Sequence, residues 1–271
     1  MQKLTLVKVG GKVVEESDSL KDLLQRFSKI EGRKVLIHGG GRSATAMAAR
    51  LGIEAKMVDG RRITDLPMLE VVTMVYGGLV NKNIVASLQA LGINAIGLTG
   101  ADLNYMRAVK RPVKEIDYGF VGDVVQVNTK EINTLLEQDI VPVLAPLTHD
   151  KEGHLLNTNA DTIAAEAAIA FSKDYLTELV FCFEKPGVLQ DAEDDSTIIP
   201  SLNYSQFKEL QSAGAIHTGM IPKLDNSFGA ISKGVGSIRI TNVENLLSGG
   251  TTLKVKKTRP GSEGLITFFA S

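Results

Sequence analysis

A single cysteine, almost no net charge and no long apolar run remove several possibilities at the outset. Cys182 is the only cysteine, which excludes an internal disulfide and fits a reducing compartment. It lies in the apolar stretch Leu179-Val-Phe-Cys-Phe183 and reads as an inert core thiol. Thirty Lys and Arg against 31 Asp and Glu give a formal charge of −1, so no electrostatic footprint for nucleic acid or an acidic membrane surface is present. No apolar run approaches the roughly 20 residues of a membrane span. The first residues lack the charged and apolar regions of a secretory leader, so none is expected. Linkers and low-complexity stretches are missing too, and no glycine cluster has the Walker or Rossmann spacing.

What is present is a globular composition, with 44% hydrophobic and 23% charged residues in 271, ordered as alternating strand-like and helix-like segments. That alternation predicts an α/β fold with a mainly parallel open sheet and crossover helices. The first half reads as strand 4–9, helix 18–28, strand 33–37, helix 42–51 and a short strand at 55–58. A long helix follows Asp65, with Pro67 in its first turn, and runs to 91. Its stripe of Leu69, Val72, Val75 and Leu79 suits either core packing or a dimer interface. Strand 94–98, an antiparallel excursion over 105–127, helix 130–138 and strand 140–144 complete this half. The second half reads as helix 160–171, strand 177–183, helices 204–213 and 222–234 and strand 237–240. The tail from Lys254, with Lys256, Lys257 and Arg259, reads as a terminal hairpin or docked strand. A single domain over 1–271 is expected, divided into lobes of about 1–173 and 174–271.

Four clusters carry chemistry. Lys8, Gly10 and Gly11 end the first apolar run, Leu4-Thr-Leu-Val-Lys-Val9. They place an ammonium and backbone N–H groups at the carboxyl edge of a sheet, where open α/β folds bind ligands. His38-Gly39-Gly40-Gly41 repeats the arrangement after Val35-Leu-Ile37. A Gly-Gly after a strand is also an ordinary tight turn. Lys8 is harder to set aside, because a lysine in a strand buried on both faces needs a partner. Asn157-Thr-Asn-Ala-Asp161 opens a helix; capping explains one of its polar groups but not three. Thr218-Gly-Met-Ile-Pro-Lys223 sets a second lysine beside a helix start, where a solvated lysine is the plain alternative. Two lysines and an aspartate form a set suited to phosphoryl transfer, which needs positioning and charge stabilisation more than covalent help.

With Lys8-Val-Gly-Gly11, His38-Gly-Gly-Gly41, Asp59-Gly-Arg-Arg-Ile-Thr64, Asn81-Lys82, Asn157-Thr-Asn-Ala-Asp161 and Gly219-Met-Ile-Pro-Lys223 in order, the chain resembles the amino acid kinase family from residue 3 to about 252. Within it, the closest resemblance is to the members that act on N-acylated glutamate. The resemblance implies a three-layer sandwich and ATP-dependent phosphorylation of the γ-carboxylate of N-acetyl-L-glutamate in arginine synthesis, with Mg²⁺ carried on the phosphates and no metal ligands of the protein's own. It implies that Lys8 and Lys223 contact the transferring phosphoryl group and that Asp161 sits between them. Gly10, Gly11 and Gly40 would offer N–H groups to the phosphates. Arg62 and Asn157 would hold the substrate's α-carboxylate, with Gly39 and Gly40 allowing close approach. The first lobe would hold the acyl amino acid, the second the nucleotide. No general base is needed, since the acceptor carboxylate ionises near pH 4.3; His149, His154 and His217 are expected on the surface or in loops.

The sequence departs from the family pattern at three places. Arg42-Ser-Ala follows the second glycine turn, Arg61 precedes Arg62, and Phe183-Glu-Lys-Pro-Gly-Val-Leu189 stands where the nucleotide strand usually ends Thr/Ser-Asp-Val. If Arg42 or Arg61 reached the acyl end, a larger acyl group such as succinyl would be the alternative substrate. A non-catalytic ligand sensor is the rival outside enzymes. Arginine-inhibited members of the family carry a helix before the first strand that ties dimers into a hexamer; here that strand starts within a few residues of Met1, so the resemblance implies a homodimer insensitive to arginine, in the cytoplasm.

Overall fold

The computed structural model describes residues 1–254 apart from 59, 192 and 217–219, and leaves the side chain of Pro222 aside. In chain order the elements are β1 (Lys3–Val9), α1 (Gly11–Glu15), α2 (Ser17–Ser28), β2 (Arg33–His38), α3 (Gly41–Arg50), β3 (Met57–Val58) and β4 (Arg61–Arg62). Then come α4 (Leu66–Val72), a π-helical segment (Thr73–Val80), α5 (Asn81–Ala90), β5 (Ala95–Leu98), β6 (Met106–Lys110), β7 (Gly122–Val127), α6 (Lys130–Glu137) and β8 (Val141–Leu144). The rest are β9 (Leu147–His149), β10 (Leu155–Asn157), α7 (Ala160–Phe171), β11 (Leu176–Phe183), β12 (Ser201–Asn203), α8 (Tyr204–Ser212), α9 (Ile221–Ser232), β13 (Ser237–Asn242) and β14 (Thr251–Lys254).

Eight strands form one sheet in the order β12-β14-β13-β11-β1-β2-β8-β5. The run from β13 to β5 is parallel throughout, while β14 pairs antiparallel to β13. A second sheet, β10-β9-β6-β7, holds the expected excursion. β1 lies mid-sheet, with β11 on one side and β2 on the other. Apolar residues therefore occupy both of its faces, as a central parallel strand demands. Leu4 and Leu6, with Val35 and Ile37, pack against Ile163, Ala164, Ala167 and Phe171 of α7. Val7 and Val9, with Leu36, pack against Leu23, Leu24 and Phe27 of α2 and against α3 to α5. These two cores and the sheet between them are the three layers.

The long helix after Asp65 departs from its expected form. Asp65 caps it, accepting from the Met68 N–H at 3.0 Å, and Pro67 lies in the first turn. Its middle turns are π-helical over Thr73–Val80, where Gly77 and Gly78 sit side by side. As one unit, Leu66–Ala90 is 25 residues long and contains an 18-residue window of mean hydropathy 1.2. That meets the length and composition of a membrane span, which the sequence did not announce because Glu70, Asn81 and Lys82 interrupt the apolar run. Val71, Val72, Val75, Ile84 and Leu88 are nevertheless packed into the α2-side core. The predicted stripe splits: Leu69, Val72 and Val75 are buried, and Leu79 is half exposed.

Three further differences have local causes. The helix expected over 18–28 is α2, Ser17–Ser28, and a short helix not foreseen, α1, precedes it because the chain turns at Gly10 directly from β1 into Gly11–Glu15. β9, β10 and β12 are only three residues each, too short for alternation to register. β14 takes in the start of the tail; the expected terminal hairpin, with Lys256, Lys257 and Arg259, lies outside the described residues.

Candidate active site

The carboxyl ends of β1 and β2 set two glycine turns side by side. A β-carbon at Gly39 would stand 3.5 Å from the Gly11 nitrogen, so the turns touch through backbone. Gly40 has φ +146, and a β-carbon there would lie 3.0 Å from Cδ1 of Tyr76. Only glycine suits such a backbone. Gly10 differs from its expected role. Its N–H donates to the Cys182 carbonyl at 2.9 Å, so that amide is not directed at a ligand. Its lack of a side chain leaves room for Phe183, whose Cδ1 would stand 3.2 Å from a β-carbon at Gly10. Gly11 opens α1, and the first N–H groups of a helix have no intrahelical partner.

Alternation along β1 turns Lys8 to the α7 face, where its ammonium meets Asp161 at 2.7 Å. Lys8 is only 6% exposed. Asp161 reaches it because Asn159 caps α7, its side chain accepting from the Asp161 and Thr162 N–H groups at 2.8 and 3.3 Å. The contact is an ion pair by distance, and Oδ1 of Asp161 is buried with no hydrogen bond of good angle among the described residues. Lys223, in the first turn of α9, stands 3.6 Å above the Phe183 ring, and Lys8 stands 4.8 Å from the same ring. Burial lowers the Lys223 pKa; the Asp161 charge opposes that shift, Lys8 adds to it and Glu184 opposes it. Thus Asp161 pairs directly with Lys8 and reaches Lys223 through its field.

On the other side, Arg62 of β4 is buried. Its Nη2 donates to the Gly41 carbonyl at 2.7 Å and to Thr45 Oγ1 at 2.8 Å, tying β4 to the second glycine turn. Nη1 makes a 3.9 Å contact with the Met68 sulfur and no other side-chain hydrogen bond among the described residues. Asn157 donates to Thr64 Oγ1 at 2.9 Å, which brings the end of β10 beside the end of β4. Arg42 and Arg61 are exposed, Arg42 with Glu15 at 4.0 Å. Lys185 is exposed as well and pairs with Asp195 at 3.0 Å, which accounts for one departure in the nucleotide strand.

Several neighbours were given no place in the site by the sequence. Tyr76, from the π-helical segment, packs under Gly40; burial raises its pKa and the Arg62 charge pulls it down. His38 is fully buried, with Nδ1 2.7 Å from the Gly39 carbonyl and Nε2 3.1 Å from Nδ2 of Asn81. Burial pushes the His38 pKa down to about 4, against the Gly39 hydrogen bond, which raises it. Cys182 is buried and its pKa is pushed up to about 12, as expected of a core thiol. His154 is exposed and pairs with Asp150 at 2.7 Å. His149 is half buried at the end of β9 instead of on the surface, and His217 lies outside the described residues. Asp150, Glu152 and His154 cluster on the exposed β9–β10 connection, where their internal ion pair accounts for them.

A strand-end cradle of glycine amides, two lysines on one aromatic ring and a carboxylate paired with one of them can neutralise charge moving between two bound anions. Comparison with known proteins agrees. The model of the amino acid kinase family matches residues 3–242. A Parabacteroides distasonis protein named acetylglutamate kinase is 62% identical over 252 residues, which is 93% of this chain and 99% of that protein. Its namesake in Phocaeicola vulgatus is 61% identical over 254 residues, covering 93% and 99%. Among solved structures, carbamate kinase from Giardia lamblia bound to AMP-PNP superposes with a TM-score of 0.71 at 12% identity, over 94% of this chain and 99% of that one. At that identity the likeness concerns the fold.

Proposed function

The chain belongs to the amino acid kinase family, and from that premise we propose that it phosphorylates the γ-carboxylate of N-acetyl-L-glutamate with ATP, a step of arginine biosynthesis. The observation that carries this reading is the juxtaposition of Lys8, Asp161 and Lys223 at the glycine turns, in a chain about 60% identical to acetylglutamate kinases over most of its length.

In the proposed step a γ-carboxylate oxygen bonds to the γ-phosphorus, the bond to the β–γ bridging oxygen breaks, and ADP leaves. The products are an acyl phosphate and ADP. No proton moves, because the acceptor is already ionised at neutral pH, and no histidine base is called for. The work is electrostatic. Lys8 and Lys223 neutralise the equatorial oxygens, and the Gly11 and Gly40 amides supply fixed donors, each worth about 3 kcal/mol in a water-poor site. Arg62, through Nη1, and Asn157 are assigned to the α-carboxylate, with Gly39 and Gly40 as the floor beneath the substrate. Asp161 is already paired with Lys8, so Mg²⁺ is assigned to the nucleotide's own oxygens. The lobe of about 1–173 is assigned to the acyl amino acid and that of about 174–271 to the nucleotide. A cytoplasmic homodimer belongs to the same reading. Leu66, Met74 and Leu79 are each about half exposed on the long helix, and an apolar groove of about 750 Å³ runs past Leu66, Thr73, Met74, Phe120 and Leu155.

The larger-acyl alternative is not favoured. Arg42 and Arg61 face solvent, and the similar relatives are named for the acetyl compound. ATP-dependent acyl phosphate, trapped as the hydroxamate with N-acetylglutamate and N-succinylglutamate side by side, tests the proposal. Turnover of the acetyl compound at least equal to the succinyl one is expected; turnover of neither overturns the reading.

A further inference from the structure

The buried imidazole beneath the second glycine turn has no part in the step just derived, yet its contacts point at that step. His38 ends β2 on the face that carries Val9 and Leu36, opposite the face on which Lys8 meets Asp161. Its Nδ1 lies 2.7 Å from the Gly39 carbonyl. A carbonyl only accepts, so Nδ1 carries the proton. Nε2 of the neutral ring is then an acceptor, and it lies 3.1 Å from the Asn81 amide nitrogen. That nitrogen also donates to the Val143 carbonyl at 3.0 Å, which fixes the amide's orientation. All three groups are consistent with one tautomer.

The peptide between Gly39 and Gly40 is trans, so its C=O and N–H point in opposite directions. Drawing the carbonyl toward His38 turns the Gly40 N–H the other way. That N–H makes no hydrogen bond among the described residues. Resting on the kinase reading above, we propose that His38 is a positioning residue for phosphoryl transfer: its Nδ1–H holds the Gly39 carbonyl in the core and thereby aims the Gly40 N–H at the face where Lys8 lies. Asn81 holds His38 in the required tautomer. The network is costly for a core that serves packing alone. Asn81 Oδ1 is buried with no partner, and it fits only because residue 97 is glycine, where a β-carbon would stand 1.7 Å from that oxygen. Apolar side chains would fill the same space with no orphaned atom.

Two substitutions separate aiming from packing. Asn keeps a donor near the Nδ1 position, whereas Gln extends past it and keeps its polar atoms near Nε2. His38→Gln is expected to lower kcat about 100-fold, the scale of losing one oriented amide, with KM for both substrates changed less than about 3-fold. His38→Asn is expected to restore kcat to within about 5-fold of wild type, though both variants melt at similarly lowered temperatures. In the unmodified enzyme, ¹⁵N shifts of labelled histidine should give one ring in the Nδ1–H form that does not titrate between pH 5.5 and 9. A wild-type enzyme that makes no acyl phosphate would overturn the kinase reading and this role with it. With wild-type activity intact, equal losses in the two variants, a loss confined to KM, or an Nε2–H ring for His38 would overturn the positioning role alone.

Discussion

Phe183 is the surface against which both lysine ammoniums stand, 3.6 Å from Lys223 and 4.8 Å from Lys8. An aromatic face attracts a desolvated cation by about 2 kcal/mol, so the ring holds two like charges in the site without neutralising either. Burial acts on Lys223 in the opposite sense and lowers its pKa. The sign has a kinetic consequence. The ammonium is present below that pKa and lost as pH rises through it, so kcat/KM, which reports the unliganded enzyme, should fall on an alkaline limb placed below the usual lysine value of about 10.4. Lys223→Arg, which stays protonated at any such pH, should lower kcat and flatten the limb. A wild-type profile level to pH 10.5 would refute the assignment. Lys8 was legible in the sequence because a lysine in a doubly buried strand must be paired. The parts played by Phe183 and His38 were not, since each depends on partners far away in the chain. Asn81 stands 43 residues from His38, and local pattern does not record such pairings.

At the scale of elements, strand ends and helix starts do the positioning. α7 begins where Asn159 takes up the Asp161 and Thr162 amides, so one cap sets both a helix and a carboxylate. Asn159→Ala should cost about 1 kcal/mol of stability, a fall in Tm of about 2–4 °C for a chain of this size. It should also lower kcat several-fold as Asp161 loses its orientation toward Lys8. An unchanged kcat with the lowered Tm would make the cap purely structural. The long elements were readable: β1, β2, β11, α7 and the helix from Leu66 follow the apolar periodicities. The π-helical turns were not, because a register change from four to five residues leaves the composition untouched. Yet they bring Tyr76 under Gly40, and such segments recur at functional sites.

Across the whole molecule, one mainly parallel sheet with a core on each face sets Lys8, Gly11 and Gly40 at the carboxyl ends of β1 and β2, and β4, β10, α7 and α9 bring in the other assigned groups. Covering those faces leaves the outer side of the long helix exposed at Leu66, Met74 and Leu79. Light scattering should give twice the monomer mass, and Met74→Glu with Leu79→Glu should halve it. A monomeric wild type would dispose of the homodimer. The parallel architecture followed from strand and helix alternating along the chain. The neighbours within the sheet did not, because strand order is set by which faces fit together in space. That order has a consequence for synthesis. β1 leaves the ribosome first, but its β11 neighbour lies about 170 residues later, a delay of about 10–30 s at ordinary translation rates. Through that interval the β2 side of β1 can pair and the other edge cannot. The nascent chain thus carries an open apolar edge, available to chaperones or to another nascent copy, until the strand that ends in Phe183 closes it.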